Sequence, residues 1–502
     1  MAEHSDRLSR RGVLGGLAAA AATPAAALEM PVKVARWDRE YDVIVIGFGV
    51  SGAAATFEAA KAGASVLVLD RASAAANESH GGFHYLGGGT PLQQAYGVED
   101  SQEEMLRYLL VANGPDPDRS RITRYVDRCL DNYRWMEALG VQFSADPADR
   151  CLTYSGNEVA WMGRQVARPA MRGHLGANRT GNGKWLQKTL LEKTAAAGVT
   201  QLLAADAKRL VQGTDGVIEG VQAEVDGRLL NLRARRGVIL ATGGFAMNRD
   251  MVAQHAPDLL DNLEPIDVGA NDGWGIRAGQ SVGAAIRRMS SAAVYWALYP
   301  PMSRREGILV NGQGMRFMDE GSYYGVIGHT IVRTQRGVAY MILDAAANGD
   351  AAGPRANGVA LGNIEHNVLH RGSAAEIEKA LGLPAPALQQ TLDLYNRYAA
   401  MGEDPLFHKD RQYVRALKPP YLVLDASLQS GEFKFFTLGG LHASPDSEVL
   451  DEAGRPIPKL YAIGRTVAGI PAPNYFSSGL SLGECVCFGR LAGSKAAAAK
   501  NL

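Results

Sequence analysis

Hydrophobic residues form several short, unbroken runs that alternate with stretches of small residues. Residues 43–46 and 65–69 are apolar almost throughout, which is typical of parallel strands buried on both faces. Residues 53–62, between these two runs, are mostly small and predict a helix. Further apolar runs at 236–245 and 459–465 each lead into glycine. The pattern therefore predicts an α/β protein with a parallel sheet.

Two stretches in the second half of the chain have a different period. Residues 374–381 and 387–401 repeat their apolar positions about every 3.6 residues, which predicts amphipathic helices. With 502 residues the chain is too long for one ordinary core, and we expect about two to three domains. Its 52 basic and 52 acidic residues cancel, which argues against a nucleic acid or an acidic membrane as partner.

Residues 1–30 form a segment of another kind. Ser-Arg-Arg-Gly at 9–12 precedes an apolar stretch rich in Ala and Gly, and Ala-Ala-Ala at 25–27 offers a cleavage site. The segment resembles a twin-arginine export signal, so we expect export of the folded protein. The alternative is an Ala-rich tail on a cytoplasmic protein. No later apolar run reaches the roughly 20 residues that a membrane span needs.

A glycine-rich turn joins the first predicted strand to the first helix. Gly47, Gly49 and Gly52 have the spacing G-x-G-x-x-G. In such a turn the first glycine permits a tight bend, the second admits a pyrophosphate, and the third allows close helix–strand packing. Asp70, 18 residues after Gly52, ends the next strand, where an acidic residue can accept hydrogen bonds from ribose hydroxyls. The stretch at 41–70 therefore predicts a dinucleotide site.

The cysteines give no sign of a disulfide scaffold, a metal site or a second redox centre. The chain has Cys129, Cys151, Cys485 and Cys487, without the spacings of haem attachment or iron–sulfur binding. Any electrons that the bound dinucleotide carries must therefore enter and leave through a diffusible partner, such as an electron acceptor, or through another protein.

The remaining glycine-rich motifs spread the nucleotide site over most of the chain, whereas a nicotinamide enzyme typically completes it in one domain. In their order these motifs resemble the flavoprotein superfamily of fumarate reductase, succinate dehydrogenase and 3-ketosteroid dehydrogenases. The motifs are VIVIGFGVSG (43–52), ATGGF (241–245), NDGWGIRAGQSVGA (271–284), GILVNGQGMRFMDE (307–320), TLGGLHASPDSEVL (437–450), LYAIGR (460–465) and SGLSLGECVCFGRLAG (478–493).

The resemblance implies FAD as cofactor and an α/β fold: a split Rossmann-like FAD-binding domain with an inserted α+β capping domain that holds the substrate. We expect the FAD domain at 38–299 and 433–502 and the cap at 300–432. A helix opening near Ser481 would direct its positive end at the flavin pyrimidine ring. The implied cofactor-binding residues are Gly47, Gly49, Ser51, Gly52, Asp70, Arg71, Gly243, Gly244, Gly464, Gly479, Ser481 and Leu482.

Within this superfamily the fumarate and succinate branch binds a dicarboxylate with histidines and arginines. At the corresponding positions this chain has Tyr299, the pair Tyr323 and Tyr324, the pair Phe435 and Phe436, and the segment 473–478. A carboxylate in such a site would be buried without a counter-charge, which costs several kcal/mol. The site therefore favours a neutral ketone.

That substitution pattern is similar to the 3-ketosteroid dehydrogenases of the Δ4-(5α) type. It implies desaturation, or the reverse reduction, of a C–C bond beside a ring ketone: a tyrosine removes a proton, a serine relays it, and hydride passes to flavin N5. Tyrosine with an ordinary pKa near 10 is a weak base, so a phenolate-stabilising neighbour or relay is required. A backbone N–H would bind the carbonyl oxygen. The candidate catalytic residues are Tyr475, Tyr324, Tyr323, Ser477, Ser478 and Gly479, and the choice within each Tyr and Ser pair stays open.

Two alternatives remain. Reduction of an unsaturated acid, as in fumarate and urocanate reductases, would need Arg304, Arg305 or Arg333 to reach the flavin. A FAD-binding electron-transfer subunit would need no catalytic residues at all. We interpret His80 and His84 as loop histidines rather than as attachment points for a covalent flavin.

Overall fold

The computed structural model describes residues 30–72, 83–114, 116–146, 170–180, 182–261, 263–266, 271–296, 302–349, 367–430 and 433–500. The predicted export signal, His80, Cys151 and Tyr299 lie outside these residues, so the export signal stays a prediction. No helix within the described residues is long and apolar enough to cross a membrane.

Helices and strands alternate along much of the described chain. The helices are α1 Val50–Lys61, α2 Pro91–Ala95, α3 Gln102–Ala112, α4 Arg119–Ala138, α5 Gly183–Ala196, α6 Arg249–His255, α7 Trp274–Ser281, α8 Tyr324–Thr334, α9 Ala345–Asn348, α10 Ala374–Leu381, α11 Ala387–Ala399 and α12 Leu480–Ala498. The strands are β1 Arg39–Ile46, β2 Val66–Leu69, β3 Phe83–Tyr85, β4 Gly173–Leu175, β5 Thr200–Leu202, β6 Asp206–Gln212, β7 Ile218–Val225, β8 Arg228–Leu240, β9 Leu263–Pro265, β10 Ile286–Arg287, β11 Ala292–Trp296, β12 Ile308–Val310, β13 Tyr340–Leu343, β14 Val368–Gly372, β15 Tyr421–Asp425, β16 Phe433–Thr437, β17 Gly440–Leu441, β18 Glu448–Leu450 and β19 Pro456–Ala462.

The largest sheet joins the two ends of the chain. Its strand order is β18-β19-β8-β1-β2-β5, and β7 and β6 extend it from β8. Strand β1 runs parallel to β2 and β8, with Ile44 opposite Leu67 and Val238. Strand β19 runs parallel to β8, with Leu460 opposite Val238. Because a C-terminal strand completes a sheet that an N-terminal strand begins, the predicted α/β fold with a split Rossmann-like domain is confirmed.

The first and last helices pack against each other beside this sheet. A Cβ on Gly489 of α12 would lie 2.6 Å from the carbonyl oxygen of Ser51, and one on Gly493 would lie 2.1 Å from that of Ala55. Glycine at both positions lets α12 approach the backbone of α1. The C-terminal helix is thereby fixed next to the glycine-rich turn.

The inserted region contains a sheet of its own, in the order β12-β13-β15-β14. The predicted helix at 374–381 is confirmed as α10, which begins with a capping box between Ser373 and Glu376. The helix predicted at 387–401 is α11 and ends at Ala399, because Gly402 adopts a left-handed φ of 74° in the turn that follows. Strands β11 and β16, on either side of the insertion, pair antiparallel. The domain limits at 300 and 432 stay predictions.

Two sequence-based expectations were wrong in detail. The run predicted at 236–245 is strand β8, which begins at Arg228 because its polar first half pairs with β7. It ends at Leu240, before the left-handed turn at Gly243. His84 is not a loop residue but lies fully buried on β3, opposite His174 of β4. A three-residue strand whose partner lies far away in the sequence gives no local signal.

Candidate active site

The three glycines of the predicted turn have different physical reasons to be glycine. Gly47 has a φ of 98°, and a Cβ there would lie 2.3 Å from the carbonyl oxygen of Ala241. A Cβ on Gly52 would lie 2.0 Å from the oxygen of Gly47. Gly49 has an ordinary φ of −66°, and a Cβ there would meet no protein atom within 4 Å. The protein's own packing therefore explains Gly47 and Gly52, whereas Gly49 borders open space where a ligand can approach the backbone.

Helix α1 begins at this open space. Its N-cap, Gly49, supplies no side-chain hydrogen bond, and its first turn contains no acidic residue. The first-turn N–H groups and the positive end of the helix are thus suited to a pyrophosphate. The Ser51 hydroxyl hydrogen-bonds the thiol of Cys485 and lies 2.6 Å from the position of a Cβ on Gly464. Because its hydroxyl is engaged, we expect Ser51 to bind the cofactor through its backbone N–H.

Asp70 ends β2 next to the turn, as the sequence predicted. One carboxylate oxygen accepts a hydrogen bond from the N–H of Phe48 at 2.7 Å, and the other accepts from the N–H of Ala72 at 2.8 Å. Since a carboxylate has about four acceptor positions, both oxygens can still bind ribose hydroxyls. Arg71 instead forms an ion pair with Asp272, with 2.8 Å between Nη1 and Oδ2, at the rim of the site.

The second predicted glycine pair lies across from this turn. Gly243 has a φ of 80°, and a Cβ there would lie 1.9 Å from Oδ1 of Asn271. The same oxygen accepts the N–H of Gly244 at 2.6 Å, and Oγ1 of Thr437 accepts the N–H of Phe245 at 3.1 Å. Sequence reasoning missed Asn271 as a site residue, although it opens the NDGWG motif. These backbone shapes and the open first turn of α1 fit an FAD.

Helix α12 begins at the other side of the site. Its N-cap, Gly479, has a φ of 88°, and a Cβ there would lie 2.8 Å from the carbonyl carbon of Phe83. The N–H of Ser481 donates a hydrogen bond to Oη of Tyr475 at 2.9 Å. Burial raises the pKa of Tyr475, and the hydrogen bond from Ser481 opposes that rise. The phenol of Tyr475 is thus bound to the positive end of α12, the helix that the sequence predicted to open near Ser481 and Leu482.

The predicted tyrosines and serines meet in front of α12. Ring centroids are 4.2 Å apart for Tyr323 and Tyr324, and 6.2 Å apart for Tyr323 and Tyr475. The Tyr323 hydroxyl lies 3.2 Å from Oγ of Ser478. Oγ of Ser477 is buried without a hydrogen-bond partner among the described residues. The structure therefore separates the two serines: Ser478 pairs with Tyr323, and Ser477 is left for a ligand.

Sequence reasoning missed a fourth tyrosine in this group. Tyr295 lies on β11, with its ring centroid 5.0 Å from that of Tyr324 and 6.2 Å from that of Tyr475. Its strand sequence, Ala-Ala-Val-Tyr-Trp, is typical of a sheet core and carries no catalytic signal. We call Tyr295, Tyr323, Tyr324 and Tyr475 the tyrosine cluster. Phe436 completes its aromatic wall, 5.3 Å from Tyr475 between centroids.

Two glycines on α8 bring the segments of the tyrosine cluster together. A Cβ on Gly325 would lie 2.5 Å from the carbonyl oxygen of Tyr475. One on Gly328 would lie 2.4 Å from that of Val294, which precedes Tyr295. Since residues three apart share a face of a helix, the two glycines let α8 approach both segments at once.

A buried ion cluster fixes the chain just before Tyr323. Glu320 forms ion pairs with Arg316 at 2.6 Å and Lys409 at 2.9 Å, and it accepts the N–H of Leu309 at 2.8 Å. Burial raises the pKa of Glu320, but the two cations and their hydrogen bonds outweigh it and the net shift is downward. The paired charges of this cluster hold the turn that presents the tyrosines.

The phenols of the tyrosine cluster are electrostatically disfavoured as anions. Burial raises the pKa of Tyr295 and Tyr323 well above the ordinary value. A hydrogen bond from Ser478 lowers the pKa of Tyr323, and the charge of Arg465 lowers that of Tyr295. Arg465 lies with its guanidinium carbon 5.0 Å from the ring centroid of Phe436. Sequence reasoning missed this cation, which ends the LYAIGR motif.

The three cap arginines that the acid-reductase alternative required are bound elsewhere. None of the partners described for them belongs to the tyrosine cluster. The contacts are Arg304 with Asn348 at 3.3 Å, Arg305 with Tyr413 at 3.2 Å, and Arg333 with Asp258 at 2.7 Å.

The split nucleotide-binding domain and its tyrosine-lined site define a flavin-dependent oxidoreductase that acts on CH–CH groups. The chain belongs to the family described as FAD binding domain, which it matches over residues 42–482. This match confirms FAD as the cofactor that the sequence predicted.

Known proteins of two kinds are similar to the chain. A solved 3-ketosteroid-Δ4-(5α)-dehydrogenase from Rhodococcus jostii RHA1, in complex with 4-androstene-3,17-dione, is 38% identical with a TM-score of 0.86, covering 93% of this chain and 99% of that one. A 3-oxo-5-alpha-steroid 4-dehydrogenase of Comamonas testosteroni is 28% identical, covering 86% of this chain and 93% of the relative. A urocanate reductase of Eggerthella lenta is 29% identical, covering 91% and 75%.

Proposed function

We propose that this flavoprotein desaturates the C–C bond beside the carbonyl of a neutral ring ketone, with a 3-ketosteroid-like substrate. The observation that carries the proposal is the wall of the site, where four phenols, Phe436 and the buried hydroxyl of Ser477 surround the start of α12. Such a wall suits an apolar ring with one carbonyl group. The similarity to the steroid dehydrogenases of Rhodococcus and Comamonas supports the same substrate class.

The carbonyl end of the substrate would be held by Tyr475. Its oxygen already accepts the N–H of Ser481 at 2.9 Å, so its own proton is left to donate to the ketone oxygen. The positive end of α12 strengthens this donor, because negative charge develops on that oxygen as the neighbouring C–H bond is broken. The N–H of Gly479, at the same helix end, would be a second donor.

The proton from the α-carbon would go to the other tyrosines. Tyr324 is half-buried, and its hydroxyl is hydrogen-bonded to Tyr323 and Ser478, which can share the proton with it. Bound FAD supplies the two-electron acceptor for the hydride from the adjacent carbon. The buried aromatic wall keeps water away from the intermediate anion. We propose a diffusible molecule or another protein as the final electron acceptor.

The test is an anaerobic titration of the oxidised flavoprotein, followed by its visible absorbance. A saturated 3-ketosteroid or a smaller cyclic ketone should bleach the flavin, and succinate should not. Bleaching by succinate alone would overturn the ketone assignment. If the 3-ketosteroid bleaches the flavin and the smaller cyclic ketone does not, the site needs a fused ring system.

A second candidate is reduction of an unsaturated carboxylic acid. One observation favours it: Arg465 places a cation at the edge of the tyrosine cluster, where it could bind a carboxylate, and urocanate reductase is among the relatives. This candidate predicts that the dithionite-reduced protein is reoxidised by fumarate or urocanate without air. The ketone proposal predicts that neither acid reoxidises it.

A further inference from the structure

We propose that Glu484 and Asn113 are positioning residues, which hold the backbone before Tyr475 and thereby place its phenol for the reaction. Neither residue was a candidate in the sequence. The inference rests on the proposed function for the role of Tyr475, but not for the hold on the backbone.

The backbone at 470–473 is buried but belongs to no helix or strand. Ile470 is fully buried, and Ala472 is 5% exposed. Pro471 and Pro473 have no N–H group, so the stretch has only two amide donors, those of Ile470 and Ala472. Both donors need acceptors, because a buried N–H without one is costly.

Two side chains from helices that are distant in the sequence supply these acceptors. Oε1 of Glu484, on α12, accepts the N–H of Ile470 at 2.7 Å. Oδ1 of Asn113, which caps the end of α3, accepts the N–H of Ala472 at 3.0 Å. Side chains thus take the place that a neighbouring strand has in a sheet. Every amide donor of the stretch is bound by one of them.

Both side chains are buried and have a fixed place. The Nδ2 group of Asn113 donates to the carbonyl oxygen of Leu109 at 2.7 Å, so the amide cannot turn over without losing both of its hydrogen bonds. Oε2 of Glu484 would lie 3.1 Å from a Cβ on Gly469, so glycine there leaves room for the carboxyl. Glu484 is 8% exposed and Asn113 is 1% exposed.

Helix α12 holds Tyr475 at two points. Glu484 binds the backbone before Tyr475, and the N–H of Ser481, about one turn earlier on the helix, binds Oη of Tyr475 at 2.9 Å. The carbonyl oxygen of Pro473 accepts the N–H of Ala292, at the start of β11, at 3.2 Å. The phenol and the backbone that carries it are therefore attached to the same helix end.

A phenol that must meet a ketone oxygen is sensitive to small shifts of its backbone. A displacement of about 1 Å can slow a reaction about 10²-fold. Glu484 and Asn113 bind only main-chain groups of this stretch, so their effect on the reaction passes through Tyr475. Their loss should therefore matter only while Tyr475 has its hydroxyl.

The first experiment needs no substrate. Hydrogen exchange of the FAD-loaded protein is followed by mass spectrometry in a peptide that covers residues 466–476. In Glu484→Met this peptide should exchange about tenfold faster, because the N–H of Ile470 loses its acceptor. Glu484→Gln keeps an oxygen acceptor and should retain the protection. It is a close substitute because burial raises the pKa of Glu484 to about 7, so the neutral carboxyl is also present near neutral pH.

Asn113→Ala is the second variant and should accelerate exchange in the same peptide through Ala472. Asn132→Ala is the matched control: Asn132 is equally buried, but its Oδ1 accepts from Arg490 of α12 at 2.6 Å. It should leave this peptide unchanged. If one of the two test variants fails to fold, the other decides. Unchanged exchange of the peptide in a folded, FAD-loaded test variant would overturn the inference.

The second experiment is a double-mutant cycle on flavin reduction at saturating ketone. Glu484→Met should slow the reaction about tenfold or more in the presence of Tyr475, and it should have no further effect in Tyr475→Phe. Glu484→Gln should restore most of the rate. A purely structural role would lower the rate by the same factor in both backgrounds, and that result would overturn the positioning role. If no ketone reduces the wild-type flavin, the proposed function fails, while hydrogen exchange still decides whether the two side chains hold the backbone.

Discussion

The nucleotide turn and the tyrosine cluster contrast in how their residues produce function. In the turn at residues 47–52 the glycines have no side chain, so the backbone N–H groups are accessible and there is room for a pyrophosphate. The tyrosine cluster works through side chains that are present, whose rings pack and whose hydroxyls form hydrogen bonds. The turn should therefore fail when atoms are added, and the cluster should fail when atoms are removed.

The largest effect is expected from adding one methyl group to the turn. In Gly52→Ala the new Cβ would lie 2.0 Å from the oxygen of Gly47, so α1 must move away from the turn. Alanine favours helix by about 1 kcal/mol, yet overpacking of this kind costs about 1–3 kcal/mol or more. We expect loss of FAD and a lower melting temperature, measured by flavin absorbance and calorimetry.

Gly49→Ala is the matched variant for that prediction. It has an ordinary φ and no protein atom within reach, so the FAD-free protein should keep its stability to within about 0.5 kcal/mol. Its FAD affinity should nevertheless fall, because the methyl group occupies the ligand's space. Equal losses of stability in the two variants would contradict the distinction.

Removing one oxygen from the tyrosine cluster should have the next largest effect. Tyr475→Phe deletes the donor to the ketone and leaves the N–H of Ser481 without its 2.9 Å partner. Flavin reduction by the ketone should slow by about 10²–10⁴, the usual contribution of a positioned proton donor, while FAD stays bound. Tyr461→Phe, in buried strand β19 outside the cluster, is the control. A normal rate in Tyr475→Phe would refute its role.

A smaller loss of rate is expected when a methyl group is added to α8, next to the tyrosine cluster. In Gly328→Ala the Cβ would lie 2.4 Å from the oxygen of Val294 and push α8 away from Tyr295. We expect a loss of about 1–3 kcal/mol in stability and roughly tenfold in rate, with FAD retained. Gly312→Ala, whose nearest contact is 3.4 Å away, should leave both unchanged. If the rate survives the shift, contact between α8 and β11 does not position the phenols.

The last effect is on the pH dependence of stability, without a change in the rate at fixed pH, and concerns the buried carboxyl of Glu484. Burial raises the pKa of Glu484 to about 7, against the opposing charge of Arg121. Because the folded state keeps the proton that the unfolded state releases, stability should fall as the pH rises from about 4.5 to 7, by up to about 1.4 kcal/mol per pH unit. Glu484→Gln should flatten this slope in melting curves. A slope that stays the same would assign it to other groups.

The nucleotide turn could be predicted because its residues are contiguous. The spacing of Gly47, Gly49 and Gly52 and the position of Asp70 follow from local geometry alone. The sequence also predicted Tyr323, Tyr324 and Tyr475, since each flanks a recognisable motif. The fold followed from the same motifs, because strands and glycine turns occur in a fixed order.

The rest of the site depends on contacts between distant segments. Tyr295 lies in a strand whose continuous apolar sequence is that of an ordinary sheet core, and Arg465 follows the end of strand β19. The sequence Y-F-S-S-G could not tell Ser477 from Ser478, whereas in the structure the Ser478 hydroxyl pairs with that of Tyr323 and the Ser477 hydroxyl has no partner among the described residues. Such pairings appear only when α8, β11 and α12 are packed together.

The packing of α12 against α1 also has a consequence for the order in which the protein is made. The nucleotide turn leaves the ribosome well before β19 and α12, which complete its sheet and cover its helix. Until then β8 has an unpaired edge at Val238, a surface prone to association with other chains. A dinucleotide held by α1 and α12 together would favour the state in which both helices are in place. Cofactor binding would thus stabilise the assembled sheet and cover the edge of β8 that β19 protects.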